Sequence, residues 1–490
     1  MRRAAFSLFA VAALAACSDD PLQPHAAGVR SPQSDLITLA PLMRITVTDL
    51  GTLGAPTRGP ASSEARGIND LGVVTGTTTA AGSPWKMVFR WQRSTGMRNT
   101  GIAGTGLDIN FGGTIVGSMP DTSLPPYPGI SRAFALTAAG TLSVIGPPPN
   151  DEWITAFGIN DDGVVVGSTW DQDRAVLDRP VCATTGFKWT PGRAPTFYRP
   201  YGTRADAINN AGQVAGRGDP AATALPTEEC FWEPGWRETP GAGFLTIGLN
   251  AEPHGINGAG TMVGATSFLT SPRPFRWSPA TGITILPTDA GASGSAADIN
   301  TAGYVAGGNN QKPALWKPDG TLVALPRLTP GTTGSGFADA LNDRLEIVGA
   351  DRAADGQLHA VLWKVTYLSW LVTDVRPFQY PNLVLLGAGE LIPVALLSTK
   401  ESSAMDADLS LFTLGNDDGS DTPAARGKDG KPIASYEDVD GDGDLDVILY
   451  FDQAALEKNQ DLGPGTTELV VYADLGDGRA LRGVDKVEVK

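Results

Sequence analysis

Hydrophobic and polar positions along the chain follow one pattern that recurs seven times. In each copy an apolar residue precedes Asn, a short turn follows that reaches Gly in the first six copies, and a stretch rich in Val or small residues ends at a closing Gly, as in Ile68 to Gly76. The seven Asn are residues 69, 110, 160, 209, 257, 300 and 342, so the steps between copies run from 41 to 50 residues. A period of this size indicates one supersecondary unit repeated along the chain.

Each unit is predicted to contain four short strands. Asn and Asp bond their own backbone and Gly supplies a positive φ, so the polar turn joins the first two strands as a hairpin. A third strand carries an aromatic or apolar stretch that closes on Trp in six units, and Phe134-Ala135-Leu136 stands in its place in the second unit. The six stretches are Phe89-Arg90-Trp91, Phe187-Lys188-Trp189, Phe231-Trp232, Phe275-Arg276-Trp277, Ala314-Leu315-Trp316 and Val361-Leu362-Trp363. A turn and one more short strand complete the blade of a β-propeller.

The seventh unit lacks a fourth strand of its own in the sequence that follows it. The segment from Ile45 to Gly54, which precedes the first unit, has the pattern of that missing strand. An N-terminal strand in the last blade would close the ring and remove exposed edges. The fold class predicted for the chain is therefore all-β, with a seven-bladed β-propeller over residues 45–366.

The repeat resembles the HAF family of extracellular repeats. The resemblance lies in the DLGTLG phrase at Asp49 to Gly54, the seven Asn-centred phrases and the recurring Trp, and it covers about residues 45–365. It implies a β-propeller and an extracellular location, and it implies no defined reaction.

The N-terminus is typical of a secreted bacterial lipoprotein. Met1-Arg2-Arg3 is basic, and the apolar stretch from Ala4 to Ala13 is too short for a stable membrane anchor. Leu14-Ala15-Ala16-Cys17 resembles the bacterial lipobox, so residues 1–17 are predicted to be a lipoprotein signal peptide that leaves Cys17 lipid-bearing. The alternative is an ordinary secretory signal that happens to contain a Cys.

The residues after Cys17 bear on location. Ser18 stands where some bacteria place an Asp for inner-membrane retention, so the prediction is a lipid anchor in the bacterial outer membrane or at the cell surface. Residues 18–44 are polar and contain Pro, which is typical of a flexible tether. The membrane is thus an expected partner through the N-terminal lipid, and a monomer is expected.

Acidic residues are concentrated at the C-terminal end. The whole chain has a net charge of −16, which argues against a nucleic-acid partner. Residues 366–490 contain 23 acidic and 10 basic residues, whereas the rest of the chain is nearly balanced. This shift, with strand-like stretches such as Leu391 to Leu397 and Val447 to Phe451, predicts a small acidic β-sandwich over residues 367–490.

This second domain resembles a C-terminal module found on many secreted bacterial proteins. The stretches Ile392 to Leu397 and Glu437 to Asp446 match its IPVAIL strand and EDVDGDGDLD loop. The module's usual Lys-Pro-Gly opening is replaced here by Arg376-Pro377-Phe378. The resemblance implies no catalytic role.

The acidic loop in this module is the strongest candidate metal site. Ca²⁺ binds six to eight hard oxygen atoms, and alternating carboxylates bent around Gly supply them. The predicted ligands are Asp438, Asp440, Asp442, Asp444 and Asp446, with Asp444 lending its carbonyl. Leu449 stands where an EF-hand has Glu, so the loop is closer to Ca²⁺ loops in β-hairpins of extracellular adhesive proteins. The alternative is a solvated acidic turn.

Two further Cys bear on a covalent link. Cys182 and Cys230 are 48 residues apart, nearly one repeat, and the predicted compartment is oxidising. A disulfide between adjacent blades is therefore predicted. Two buried free thiols are the alternative, because the two residues have different offsets from the nearest Trp.

No catalytic pattern is present in the sequence. The His residues are His25, His254 and His359, and no G-x-S-x-G, Cys–His or H-E-x-x-H arrangement occurs. We therefore expect no enzyme, with a binding or scaffolding lipoprotein as the first hypothesis. The second is a propeller enzyme, a lyase or glycosidase, that acts on polysaccharide.

A candidate ligand face lies in the long loops of the third unit. Trp beside carboxylates and Arg is typical of glycan or protein recognition. The residues concerned are Trp153, Trp170, Asp171, Asp173 and Arg174. The alternative is a set of variable loops with no ligand.

Overall fold

The computed structural model describes most of the chain from residue 42 onward. The described residues are 42–57, 59–121, 130–146, 153–170, 184–198, 202–220, 234–266, 271–289, 292–398, 404, 407–416, 421–475 and 479–490. Within them the chain is built almost entirely from β-strands. The prediction of an all-β protein composed of four-stranded propeller sheets is confirmed.

The first six sheets each consist of four consecutive antiparallel strands. Sheet one is β2(Ser63–Ile68), β3(Val74–Thr78), β4(Met87–Gln92), β5(Gly96–Ala103); sheet two is β6(Thr105–Ile109), β7(Ile115–Pro120), β8(Ser131–Leu136), β9(Leu142–Ile145); sheet three is β10(Trp153–Ile159), β11(Val165–Trp170), β12(Thr184–Trp189), β13(Thr196–Phe197). Sheet four is β14(Arg204–Ile208), β15(Val214–Arg217), β16(Pro234–Thr239), β17(Gly243–Leu249); sheet five is β18(Ala251–Ile256), β19(Met262–Thr266), β20(Arg273–Ser278), β21(Gly282–Ile285); sheet six is β22(Gly294–Ile299), β23(Val305–Asn309), β24(Lys312–Trp316), β25(Leu322–Ala324).

The seventh sheet joins the two ends of the repeat region. It contains β26(Phe337–Leu341), β27(Glu346–Arg352) and β28(Leu358–Trp370), and its fourth strand is β1(Leu42–Gly51). β1 pairs antiparallel with β28, with Thr46 opposite Lys364 and Asp49 opposite Val361. The first strand of each sheet packs against the first strand of the next, and β26 packs against β2. The sheets therefore form a closed cycle around a central channel.

The Asn of the repeat form a closed ring of hydrogen bonds. Each Asn is buried, and its side-chain amide donates to the backbone carbonyl of the corresponding Asn in the next sheet. The seven N···O distances, from Asn69 to Asn110 and onward around the ring, are 2.9, 3.0, 3.3, 2.8, 3.1, 3.2 and 3.1 Å, and the last bond runs from Asn342 back to Asn69. The Asn oxygen accepts the backbone N–H four residues later in the same sheet. One side chain thus holds its own turn and the neighbouring sheet.

The Gly that closes each phrase is required by close backbone contact. Every first strand carries a bulge that shifts its register against the second strand. A Cβ on Gly76 would lie 2.0 Å from the Glu64 carbonyl oxygen, and one on Gly264 would lie 1.9 Å from that of Glu252. The equivalent Gly in the other five sheets have the same contact, at 1.9 to 2.2 Å. A side chain at any of these positions would separate the two innermost strands.

The third strands supply the packing between sheets. The Trp that close these strands are buried in five sheets, namely Trp91, Trp189, Trp277, Trp316 and Trp363. The Arg in the centre of this stretch also connects sheets. Arg90 donates to the Gly113 carbonyl at 2.7 Å, and Arg276 donates to that of Gly303 at 2.7 Å.

Sheet four differs from the predicted assignment of its third strand. Phe231 and Trp232 lie outside the described residues, and the strand that pairs with β15 is Pro234–Thr239. Trp236 lies opposite Gly216, as Phe89 lies opposite Gly76. Trp236 is buried and fills the core position that the sequence analysis gave to the earlier pair. The Arg237 that follows matches Arg90 and Arg276.

The C-terminal part contains two further layers of strands. One continues from β28 in the order β28-β37-β36-β32-β33, and the other has the order β29-β31-β35-β34. The elements are β29(Thr373–Val375), β30(Leu383–Val384), β31(Leu391–Leu396), a 3-10 turn (Leu409–Leu411), β32(Phe412–Gly415), β33(Thr422–Pro423), β34(Ala434–Glu437), β35(Asp446–Asp452), α1(Gln453–Lys458), β36(Glu468–Asp474), β37(Arg479–Lys486) and β38(Glu488–Val489). Val394, Leu414, Leu449 and Val471 belong to one buried cluster, which shows that the two layers share a core.

The junction between the two parts is a single strand. β28 pairs with β1 and β27 over its first part, and its last residues pair in parallel with β37, with Tyr367 opposite Arg479. Lys364 also forms an ion pair with Asp474. The boundary predicted between residues 366 and 367 thus falls inside a strand that both parts use.

Replacing one ring Asn should lower stability. Asn160→Ala leaves the Asn209 carbonyl and the Val164 N–H without their buried partner, which we expect to cost about 1–3 kcal/mol in the free energy of unfolding. Urea unfolding followed by tryptophan fluorescence measures this. Asn99→Ala is the matched control, because the Asn99 side chain is exposed and accepts the N–H of Gly101 in its own strand. Equal midpoints for the two variants would contradict a structural role for the ring.

Candidate functional site

The acidic loop between β34 and β35 brings three of its carboxylates together. Asp438, Asp440 and Asp442 each offer an oxygen atom, and these atoms lie within 4.8 Å of one another. All three residues are exposed. In the part of the chain that the structure describes, this is the one group of three or more potential metal-binding side chains.

Backbone amides fix the shape of this loop. Asp438 accepts from the N–H groups of Gly441 and Gly443, at 2.8 and 3.2 Å. Asp440 accepts from the N–H of Asp442, and Asp442 accepts from that of Asp444. Gly441 and Gly443 have φ values of 79° and 97°, so the chain turns where L side chains are unfavourable. The turn holds the carboxylates on the inside of the loop.

The structure sets Asp446 apart from the three grouped carboxylates. Asp446 is fully buried at the start of β35, and its two oxygens accept the N–H groups of Ser398 and Val439 at 2.7 and 2.8 Å. Asp446 thus anchors the loop to β31 and β35. The Asp444 side chain lies outside the group of three, and its backbone N–H supports Asp442.

The electrostatics of the group favour a cation. Partial burial raises the pKa of Asp440 above its usual value, and the neighbouring charges of Asp442, Asp446 and Asp438 raise it further. A divalent cation would remove this repulsion. Carboxylate oxygens at this spacing fit the hard-oxygen preference of Ca²⁺, so the residues present are compatible with the predicted ion.

Only part of the predicted ligand face can be placed. Trp153 and Trp170 are direct cross-strand partners at the end of sheet three opposite the Asn ring, and both are partly exposed. Asp171, Asp173 and Arg174 lie outside the described residues. Cys17, Cys182 and Cys230 also lie outside them, so the lipid attachment and the disulfide remain predictions.

The wall of the central channel carries charged groups that the sequence analysis did not single out. Arg66 of sheet one donates to Glu64 at 2.6 Å and to Asp339 of sheet seven at 2.8 Å, and it lies over the ring of Phe337. On sheet four, Arg204 pairs with Asp206 and lies 4.0 Å from the ring centre of Phe157 in sheet three. These contacts join innermost strands of neighbouring sheets. His254 also contacts the next sheet, since its Nδ1 lies 2.9 Å from the Ala296 carbonyl oxygen.

In the described part of the chain, the carboxylates of two channel-wall residues accept hydrogen bonds from backbone amides alone. Asp108 accepts from the N–H groups of Ile109 and Ile159, and Asp298 accepts from those of Ile299 and Leu341. Each carboxylate therefore links its own bulge to the next sheet. A sequence signal for them exists, because both lie two residues before a ring Asn, where the other sheets have Gly or Ala.

Burial dominates the protonation of these acids. It raises the pKa of Asp108 to about 6 and that of Asp298 to about 7, and the charge of Asp108 raises the latter further. Burial also raises the pKa of Asp339 to about 6, against the opposing effect of Arg66. Asp108 and Asp298 belong to sheets two and six, so their interaction acts between non-adjacent sheets of the cycle.

Comparisons with known proteins identify no family. Neither a protein-family model nor a curated protein matches the sequence. Among solved structures, the chain is similar to TolB from Acinetobacter baumannii, with 11% identity and a TM-score of 0.34 over 57% of this chain and 76% of that chain. It is similar to XC5397 from Xanthomonas campestris, described as a gluconolactonase, with 12% identity and a TM-score of 0.33 over 66% and 91%.

A third similar structure is the tricorn protease, with 10% identity and a TM-score of 0.31 over 79% of this chain and 45% of that chain. All three scores are below 0.5, so the description of the fold depends on strand pairing alone. Within the described residues, no helix has the length and apolar character needed to span a membrane.

The buried acids should make stability depend on pH. Their pKa values are raised on folding, so the folded state binds more protons between about pH 4 and 7, and stability falls as the pH rises through that window. The test variant is Asp298→Ala. Sheets four and seven already have Ala at this position, as Ala207 and Ala340. We expect the melting temperature of the wild type minus that of the variant to decrease from pH 5 to pH 8. Scanning calorimetry measures it, and a difference that grows with pH would contradict the assignment.

Proposed function

We propose that this protein is a surface-anchored binding or scaffolding lipoprotein, composed of a seven-bladed β-propeller and a Ca²⁺-stabilised β-sandwich. The observation that carries the proposal is the ring of seven Asn hydrogen bonds, which returns from Asn342 to Asn69. A ring closed by side chains, and by β1 in the last sheet, is a rigid platform. Rigid scaffolds that present variable loops are common in recognition proteins.

The location follows from the N-terminal pattern and from the HAF-like repeat. The lipobox-like Leu14 to Cys17 supports lipid attachment at Cys17, and the stretch before β1 would serve as the tether. The membrane is then a partner through lipid alone. The proposed ligand of the propeller is a glycan or a protein, and the proposed location is the bacterial outer membrane or cell surface.

The proposed role of Ca²⁺ is structural. Asp438, Asp440 and Asp442 would bind the ion through side-chain oxygens, and Asp446 already connects the loop to β31 through Ser398. An ion at this position would neutralise the loop and hold the start of β35 in register with β31 and β34. It would supply no chemistry to a substrate.

The proposed disulfide gains one argument from the corrected strand of sheet four. Cys182 precedes the start of β12 by two residues, and Cys230 precedes the start of β16 by four. The two Cys therefore come at nearly the same place before the third strands of adjacent sheets. The pairing would join those two sheets covalently.

A second candidate function is that of an enzyme acting on polysaccharide. The observation in its favour is the set of channel carboxylates, Asp108, Asp298 and Asp339, with pKa values raised toward neutrality. Against it, both oxygens of Asp108 and of Asp298 already accept backbone N–H groups. Those bonds favour a structural role for the two acids, so binding remains the preferred function.

Calcium should stabilise the full chain. A ligand that binds only the folded state adds about 2.7 kcal/mol at 100 times its Kd, so the transition of the C-terminal part should move to higher temperature. The double variant Asp440→Ala, Asp442→Ala should lose this shift and the binding heat in isothermal titration. Asp429→Ala, which removes an exposed acid from another turn of the same part, should keep both. Identical wild-type melting curves in Ca²⁺ and in EDTA would remove the ion from the proposal.

The lipid anchor predicts where the protein fractionates. Wild-type protein expressed in a Gram-negative host should sediment with membranes, and Cys17→Ser should shift most of it to the soluble fraction. Cys182→Ser removes a Cys that is proposed to form a disulfide and not to bear lipid, and it should leave the protein in the membrane fraction. Immunoblotting of the two fractions measures the distribution. Soluble wild-type protein would refute lipidation.

A further inference from the structure

The inner wall between the Asn ring and the opposite mouth of the channel carries several ion pairs. Arg66 and Arg204 of the first strands, with Arg217 at the end of β15 and Lys86 just before β4, pair with Glu64, Asp339, Asp206 and Glu252. The Arg217–Glu252 and Lys86–Glu64 distances are 3.1 and 3.5 Å. With Asp108 and Asp298, the described first strands carry more acidic than basic side chains, which disfavours an acidic ligand.

These groups are accessible from the channel as well as paired. The side chains of Arg66 and Arg204 are 34% and 32% exposed, and those of Glu64 and Glu252 are 20% and 33% exposed. Each pair therefore presents unused N–H groups beside unused carboxylate lone pairs. A hydroxyl group can accept from the first and donate to the second at the same time, so such pairs suit a neutral ligand with many hydroxyl groups.

Aromatic side chains stand at the mouth of the same channel. Trp153 begins β10 and Trp170 ends β11, so the pair lies at the end of sheet three farthest from Asn160. Direct cross-strand partners have Cβ atoms about 5 Å apart on one face, and both side chains keep exposed surface. Partly exposed indole rings can cover the C–H faces of a pyranose ring and donate a hydrogen bond from Nε1.

We propose that the channel wall and the Trp153–Trp170 pair form a binding site for a neutral oligosaccharide. The inference rests on the proposed binding function and narrows it to one class of ligand. Sugar rings would contact the two Trp at the mouth, and their hydroxyl groups would bond to the Arg–carboxylate pairs deeper in the channel. His254 and Ser295, which contact each other at 3.2 Å, add polar atoms to the same wall.

The test uses the full chain and a panel of neutral and charged oligosaccharides on an array. Hits are followed by titration calorimetry, and a parallel polysaccharide-degradation screen with the same sugars detects turnover. We expect binding of at least one neutral oligosaccharide without cleavage. Affinity should change less than about twofold between 50 and 500 mM NaCl, because a neutral ligand releases no counterions.

Variants of the proposed contact residues test where on the protein the oligosaccharide binds. Arg66→Gln and Glu252→Gln should each weaken binding at least tenfold, and Trp153→Ala with Trp170→Ala should do the same. Arg344→Gln is the matched control, since Arg344 is 39% exposed and paired with Glu346 at the Asn-ring end. It should bind as wild type does. Circular dichroism and thermal melting show whether each variant is folded. If one of the two channel variants does not fold, the other still tests the site.

Three results would overturn the inference, and each has a different consequence for the proposed binding function. An array without a neutral hit, or preference for charged sugars with steep salt dependence, removes the ligand class and leaves a protein ligand in place. Folded Arg66→Gln and Glu252→Gln variants with wild-type affinity place glycan binding outside the channel. Cleavage in the degradation screen would replace a binding protein with the enzyme alternative.

Discussion

The closed ring of Asn amides is the interaction on which the propeller depends. A β-sheet holds its own strands through backbone hydrogen bonds, but nothing in a ladder connects one sheet to the next. Here each Asn contributes one bond to its own turn and one to the following sheet, and the seventh closes on the first. Because every member is buried, a missing partner would leave a polar group without compensation, so the ring favours a fixed number of sheets.

Two other contacts act with the ring at the inner edge of the sheets. The bulge in each first strand brings a carbonyl oxygen against the second strand, and Gly is the residue that leaves room for it. The Arg of the third strand then reaches the turn of the next sheet, as Arg90 reaches Gly113. Asn and Gly thus recur in all seven sheets, and Arg in sheets one, four and five, because each makes a contact that involves a neighbouring strand or sheet.

The repeat could be recognised from sequence because its contacts use the same residue types each time. The seven Asn, the closing Gly and the pairing of Thr46 with Lys364 all follow from one pattern and its missing strand. The third strand of sheet four was misassigned because Phe231-Trp232 imitates the local motif, whereas the register against Gly216 selects Trp236. The motif gives only the residue types, whereas the strand pairing shows which of the two aromatic stretches forms the third strand.

The candidate sites show the same limit. Alternation of Asp and Gly was sufficient to find Asp438, Asp440 and Asp442, because consecutive carboxylates in a tight turn meet locally. Asp446 was grouped with them by spacing, but its two oxygens accept the N–H groups of Ser398, which follows β31 and lies 48 residues earlier, and of Val439. The channel groups were missed for a related reason. Arg66 and Asp339 are 273 positions apart, and only the closed cycle brings them together.

The pairing of β1 with β28 has a consequence for how the protein is made. The strand that closes the cycle is synthesised before the six complete sheets, and its partner is synthesised after them. Contacts between segments so far apart in sequence form slowly, because a long loop must first be closed. During translation the edge of β1 is therefore exposed until the seventh sheet has left the ribosome. The strand that then accepts it, β28, continues directly into the pairing with β37. Completion of the ring and attachment of the C-terminal part are thus coupled to the same late stage of synthesis.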